Sequence, residues 1–168
     1  MWPWQRAGGR RIHQIRVDHI LSNPFQPRKE VREDGLKQLM HSIQEFGLIV
    51  PILVRPLAGR GRYELVAGQR RLQACRRLGW RRIPAMVRPL SDQDVTQIGL
   101  LENLQREDLN PLEEARAYQR LQSEFHLRQE DVARYVGKNR ASIANALRLL
   151  KLPQVLQDDL EAGRLSMG

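Results

Sequence analysis

The chain has 168 residues, 41% of them hydrophobic, and a formal net charge of +9; the isoelectric point is about 10.7. That length holds one large domain or two small ones with a real core. No apolar run approaches the roughly 20 residues a membrane helix needs, the N-terminus lacks the apolar core of a signal peptide, and the single Cys75 cannot form an internal disulfide. A membrane-spanning protein and a disulfide-stapled secreted scaffold are thereby excluded, a reducing cytoplasm is the expected compartment, and a phosphate-bearing partner is suggested. Nearly all the positive charge is arginine, which suits planar, bidentate phosphate recognition. Gln69 to Ser91 holds seven arginines and no acid, and Val132 to Gln157 five basic residues and no acid. Two such stretches point to two phosphate-bearing partners, or to one extended one.

Residues 1–14 carry Arg6, Arg10 and Arg11 without a clear period and read as a flexible basic arm, in which Trp2 and Trp4 stand out. A first strand is expected at Ile15–Val17. Asn23-Pro24-Phe25-Gln26-Pro27-Arg28-Lys29 reads as an extended loop, because its two prolines exclude helix. Leu36, Leu39, Met40, Ile43 and Phe46 give one stripe of a helix from about Glu33 to Phe46, closed by Gly47. Strands follow at 52–55 and 62–67, joined by a glycine-rich hairpin connection.

Around Gly68 the second of these strands passes through glycine straight into a helix, 69–78, with Leu72, Cys75 and Leu78 on one face. A helix start leaves backbone N–H groups unpaired, and the helix dipole favours an anion there. Arg70 and Arg71 in the first turn oppose that dipole, and an anion held between them and the N–H groups would offset the cost. From these residues alone two readings stay open: an anion cradle, or a turn with solvated arginines. A short strand at 83–87 and a helix capped by Ser91 and Asp94, with Val95, Ile98, Leu101 and Leu104 inward, complete an α/β domain over 15–108.

From Asn110 onward strand signals stop, and an all-helical domain is expected over 109–168. Asn110 caps a helix with Pro111 at its first position and Leu112, Ala115, Tyr118, Leu121 and Phe125 on one stripe. Between residues 128 and 152 a short helix carrying Val132, Ala133 and Val136 breaks at Gly137. A second helix, capped by Asn139, turns Ile143, Ala146 or Leu147, and Leu150 inward. A small residue, a turn glycine and a β-branched residue at these offsets fit a helix-turn-helix. Its second helix presents Lys138, Arg140, Ser142 and Asn145, residue types that reach base edges and phosphates. With the basic charge, DNA binding is favoured over a plain helical hairpin. Glu102-Asn103-Leu104-Gln105-Arg106 offers two hard oxygen ligands suited to Mg2+ beside a phosphate and one arginine, but reads equally as a solvated helix end. There is no zinc-ligand spacing, no nucleotide-hydrolase P-loop and no nucleophile–base pair.

N-P-F-Q-P-R-K (23–29), G-Q-R-R-L-Q-A (68–74), E-N-L-Q-R-E-D-L-N-P-L-E-E-A (102–115), G-K-N-R-A-S-I-A-N-A-L-R-L-L-K-L-P (137–153) and L-S-M-G (165–168), in this order, resemble the ParB family of chromosome-partitioning proteins over residues 12–168. The resemblance implies a ParB/sulfiredoxin-like α/β domain that binds CTP with Mg2+, followed by a helix-turn-helix domain that binds double-stranded DNA at the parS palindrome. It implies a homodimer that closes on DNA as a sliding clamp, with CTP hydrolysis helping to reopen it, and a cytoplasmic, nucleoid-associated location. Gln26, Arg28, Gly68, Gln69, Arg70, Arg71, Ala74 and Arg106 would line the nucleotide site, and Glu102 and Asn103 would hold the metal. Lys138, Asn139, Arg140, Ser142, Asn145, Lys151 and Gly168 would serve DNA binding.

Two positions depart from the family pattern G-E-R-R-x-R-A. Gln69 stands where the family has glutamate, which removes a candidate water-activating group and implies slow or impaired hydrolysis. Gln73 stands where the family has arginine and removes a charge. Arg140 and Gly168 are of the partitioning rather than the nucleoid-occlusion type, whereas lysine at 151 is seen in the occlusion branch. The chain stops where the family continues into a C-terminal dimerisation domain, so a truncated chain is expected. The arm lies where the family stimulates a ParA ATPase. The alternatives are an occlusion-type paralogue, a helix-turn-helix regulator indifferent to nucleotide, and an enzyme on the same α/β fold. A reductase would need a reactive cysteine, and mid-helix Cys75 does not suit that role.

Overall fold

The computed structural model describes residues 11–22, 33–59, 61–104 and 109–165. Its elements are β1 (Ile12–Arg16), a 3-10 turn (Val17–His19), β2 (Ile20–Leu21), α1 (Glu33–Phe46), β3 (Ile52–Pro56), β4 (Tyr63–Ala67), α2 (Gln69–Arg77), β5 (Arg82–Val87), α3 (Asp92–Leu104), α4 (Pro111–Phe125), α5 (Gln129–Val136), α6 (Arg140–Leu149) and α7 (Gln154–Glu161). They fall into an α/β unit, Met1–Val95, and a helical unit, Thr96–Gly168. The division lies inside α3, ahead of the 106–110 expected from the sequence. A change from strand to helix signals shows where the sheet ends, not which unit a continuous helix joins.

In the first unit the strands pair in the order β1-β5-β3-β4-β2. β1 runs antiparallel to β5 and β3 antiparallel to β4, while β3–β5 and β2–β4 are parallel. Alternation selects the inner face. Ile52 and Val54, Leu65, and Ile83 and Ala85 are fully buried, and they share one core with Leu36 and Ile43 of α1 and Leu72, Ala74 and Cys75 of α2. Burial pushes the Cys75 thiol up to about 11. It is therefore protonated at neutral pH and shielded, which argues against redox chemistry at this residue.

Three expectations change. The first strand starts at Ile12, so residues 12–14 belong to the sheet and not to the arm, and residues 17–19 form a 3-10 turn. In β1 only Ile15 turns inward, so the segment lacks the apolar repetition that marks a strand. Phe46 shares the α1 stripe by spacing, yet is 69% exposed. It lies in the last turn, and helical period sets a face without setting how far the neighbouring core extends.

The entry to α3 is fixed from both sides. Ser91 N–H donates to Asp94 Oδ2 (2.9 Å) and Asp94 N–H to Ser91 Oγ (3.1 Å), the reciprocal cap expected from the sequence. Arg55 pairs across the sheet with Glu64 (2.6 Å) and also reaches Asp92 (2.6 Å) and the Leu90 carbonyl (3.2 Å). In the second unit Asn110 Oδ1 accepts from Leu112 N–H (2.7 Å), and Glu113 returns a bond to Asn110 N–H (3.1 Å). The buried α4 stripe of Leu112, Ala115, Tyr118 and Leu121 packs α4 on α5, α6 and α7. Among the described residues no helix is long and apolar enough to cross a membrane.

Candidate phosphate and nucleic-acid sites

The β4–α2 turn is built on Gly68, at φ +101° and ψ 32°. A Cβ there would lie 3.0 Å from Ile52 Cγ2 and 3.2 Å from Arg71 Cζ, so glycine is required both by conformation and by space. Gly68 brings no side-chain cap to α2, and first-turn N–H groups have no acceptor within their own helix. Gln69 Oε1 is buried and, among the described residues, has no hydrogen-bond partner. Arg71 Nη1 donates to the carbonyls of Pro51 (2.6 Å) and Val50 (3.0 Å) and ties α2 to the start of β3.

Arg70 is exposed and, among the described residues, makes no hydrogen bond or ion pair. A Cβ on Gly35 of α1 would meet its Nη2 at 2.7 Å, so Gly35 leaves room for the guanidinium. Further along α2, Arg76 donates to the Ile20 carbonyl (2.7 Å) and Arg77 forms a two-bond pair with Glu33. The start of α2 and the Arg70 guanidinium together are a candidate anion site, since helix starts and arginine both favour negative charge. Ala74 is fully buried in the core, so it packs α2 and is not presented to a ligand.

Glu102 and Asn103 lie in the last turn of α3, within the second unit. Glu102 is exposed and Asn103 half-buried, and both make polar interactions. No group of three or more His, Cys, Asp or Glu gathers as a metal cage among the described residues. Mg2+ does not demand one, since it binds through one or two protein oxygens plus substrate phosphates and water. This donor set fits that chemistry. Gln26, Arg28, Arg106 and Gly168 lie outside the described residues, as do Arg6 and Arg10.

In the second unit α5 ends at Gly137, φ +71°, and Lys138 N–H returns to the Ala133 carbonyl (2.9 Å). Ala133, 4% exposed, and fully buried Val132 and Ile143 bring α5 against α6. Asn139 Oδ1 accepts from Ser142 N–H (2.8 Å) and caps α6. Arg140, Ser142 and Asn145 are exposed on α6, and Lys151 follows it, also exposed. Arg140 Nη1 is 3.8 Å from Glu130 Oε1, with both side chains more than 60% exposed, a long, solvated contact of small energetic weight. Asn139 has its acceptor engaged in the cap. Lys138 is ion-paired to Glu114 of α4. Sequence reasoning did not identify Glu114, Gly35 or exposed Arg148, the last set three residues beyond Asn145 in α6.

Residues 4–104 match the ParB N-terminal domain family and residues 107–168 the ParB HTH domain family. Chromosome-partitioning protein Spo0J of Thermus thermophilus is 50% identical over 160 residues, 95% of this chain and 58% of the relative. A C-terminally truncated ParB from Caulobacter crescentus complexed to the centromeric parS site superposes with a TM-score of 0.81 at 42% identity, covering 92% of this chain and 80% of that one. The C. crescentus protein complexed with CTP-gamma-S gives a TM-score of 0.53 at 44% identity, covering 96% and 89%. The chain spans just over half the length of the curated relatives it matches. An α/β unit with a glycine-bound helix start, followed by a capped helix-turn-helix, thus coincides with two adjoining ParB domain families, and the chain belongs to the ParB family.

Proposed function

We propose that this chain belongs to a chromosome-partitioning protein, reads a parS palindrome through its helical unit and is gated by CTP at its α/β unit. The observation that carries this reading is the α5–Gly137–α6 arrangement, a tightly packed helix-turn-helix whose second helix is capped by Asn139 and exposes Arg140, Ser142 and Asn145. The likeness to ParB structures complexed with parS and with CTP-gamma-S supports both halves of it. α6 enters the major groove, where Arg140 and Asn145 reach base edges and Ser142 a phosphate. Lys151 and Gly168 join the DNA face by family resemblance.

Bound CTP–Mg2+ supplies a polyanion and a phosphoanhydride. The first-turn N–H groups of α2 and Arg70 hold its phosphates. Arg71 keeps the turn against the start of β3, and Gly68 lets backbone approach. By family resemblance Glu102 and Asn103 would hold the metal, and Gln26, Arg28 and Arg106 would contribute to nucleotide binding. Gln69 is neutral and cannot accept a proton as a carboxylate does, so binding persists while CTP hydrolysis is slow. By family resemblance the protein acts as a homodimer, closes on DNA as a sliding clamp, and engages a ParA ATPase through the arm bearing Arg6, Arg10 and Arg11, in the cytoplasm on the nucleoid.

A titration with CTP, ATP, GTP and UTP, with and without a parS duplex, tests the gating. CTP alone binds, and more tightly with parS; equal affinity for all four in both conditions would overturn it. Gln69→Glu then raises the rate of phosphate release from CTP. Unchanged turnover would mean that this glutamine is not what limits hydrolysis.

A further inference from the structure

Lys138 sits in the helix-turn-helix turn, between the Gly137 break and the Asn139 cap, where a lysine is expected to meet a DNA phosphate. Its ammonium is held instead by Glu114, in the first part of α4. The same carboxylate oxygen accepts a 2.5 Å bond from the Tyr118 hydroxyl. Tyr118 is 1% exposed, and burial together with the neighbouring carboxylate holds its ionisation well above the usual range, so the hydroxyl stays a donor. Glu114 is 21% and Lys138 45% exposed at the side chain. The carboxylate is thus partly desolvated and fixed by two donors, unlike a solvent-exposed pair of little persistence.

We infer that Glu114 is the residue that sets how much of the Lys138 charge reaches DNA, holding the turn lysine against α4 so that it counts for less than one phosphate contact. This rests on the DNA-binding reading above. Each phosphate neutralised by a protein cation releases counterions and adds about 0.9 to the slope of log affinity against log salt. A lysine shared with a carboxylate adds less. Glu114 therefore lowers sequence-independent affinity and leaves discrimination to α6, since phosphate contacts carry no base information.

The test is a double-mutant cycle read by fluorescence anisotropy on parS and scrambled duplexes, from roughly 50 to 200 mM salt. Glu114→Gln keeps an oxygen for the Tyr118 hydroxyl but loses the charge. It steepens the slope by up to about 0.9 per bound chain and tightens scrambled-duplex binding at low salt. Lys138→Gln lowers the slope by about that amount in the Glu114→Gln background and by clearly less in the wild-type background. Equal lowering in both backgrounds, or a Glu114→Gln slope equal to wild type, would overturn the inference. Glu114→Asp, which shortens the reach to Lys138 and keeps the charge, gives an intermediate slope and serves if the glutamine variant melts early. Wild-type protein that binds neither duplex would remove the DNA-binding reading, and the inference with it, a failure distinct from a flat cycle.

Discussion

Replacing Arg140 with alanine lowers affinity for parS by roughly five- to 150-fold per half-site, the loss of about 1–3 kcal/mol expected for one base-reading arginine. The effect is confined to specific binding. Arg140 is the first residue of α6, directly after the Asn139 cap, and N-terminal residues of a recognition helix face base edges. Its contact with Glu130 is long and solvated, so removing it leaves the fold intact. The cap itself rests on Asn139 and Ser142 N–H, not on the arginine. Anisotropy on parS and scrambled duplexes separates the outcomes. Selective loss on parS supports base reading, whereas an equal and small loss on both would reduce Arg140 to a phosphate contact.

Gly68→Ala has the second large effect, on both stability and nucleotide binding. A side chain at φ +101° is strained, and the added Cβ meets Ile52 Cγ2 at 3.0 Å; Ile52 is fully buried and has nowhere to move. The strain and crowding cost about 1–3 kcal/mol. For a unit of this size each kcal/mol lowers Tm by roughly 4–8 °C. The turn that presents the α2 N–H groups shifts, and CTP binding weakens with it. Arg70→Ala separates the two causes. Arg70 is exposed and without a partner among the described residues, so Tm moves little, while CTP affinity falls at least about tenfold through loss of a charged hydrogen bond. CTP affinity unchanged in Arg70→Ala would remove this arginine from the phosphate site.

Features with local causes were readable in the sequence. A strand that stops at glycine and restarts as a helix announces Gly68, because backbone sign and helix start are set by neighbouring residues. The α1 stripe, the Ser91–Asp94 cap, the Asn110 cap and the Ala133–Gly137–Ile143 spacing belong to the same kind. Features made by residues far apart in the chain were not. Glu114 and Lys138 lie 24 positions apart, and neither residue type marks the other. Gly35 reads as a weak point in a helix until Arg70, from another helix, is seen to occupy the space. Residues 12–14 of β1 carry almost no periodic signal, because this edge strand turns only one residue inward. Asn139 illustrates a third case: its spacing fits both a cap and a DNA contact, and the bond to Ser142 assigns its acceptor to the cap.

Whether the helix-turn-helix reads parS is decided by a salt-controlled binding titration of wild-type protein with a parS duplex and a scrambled duplex of equal length. Specific DNA-binding proteins prefer their site by about 10³-fold or more at physiological salt. A clear preference for parS is expected to survive as salt rises, while scrambled-duplex binding collapses along the counterion-release slope. Equal affinity for the two duplexes at every salt concentration would contradict parS reading.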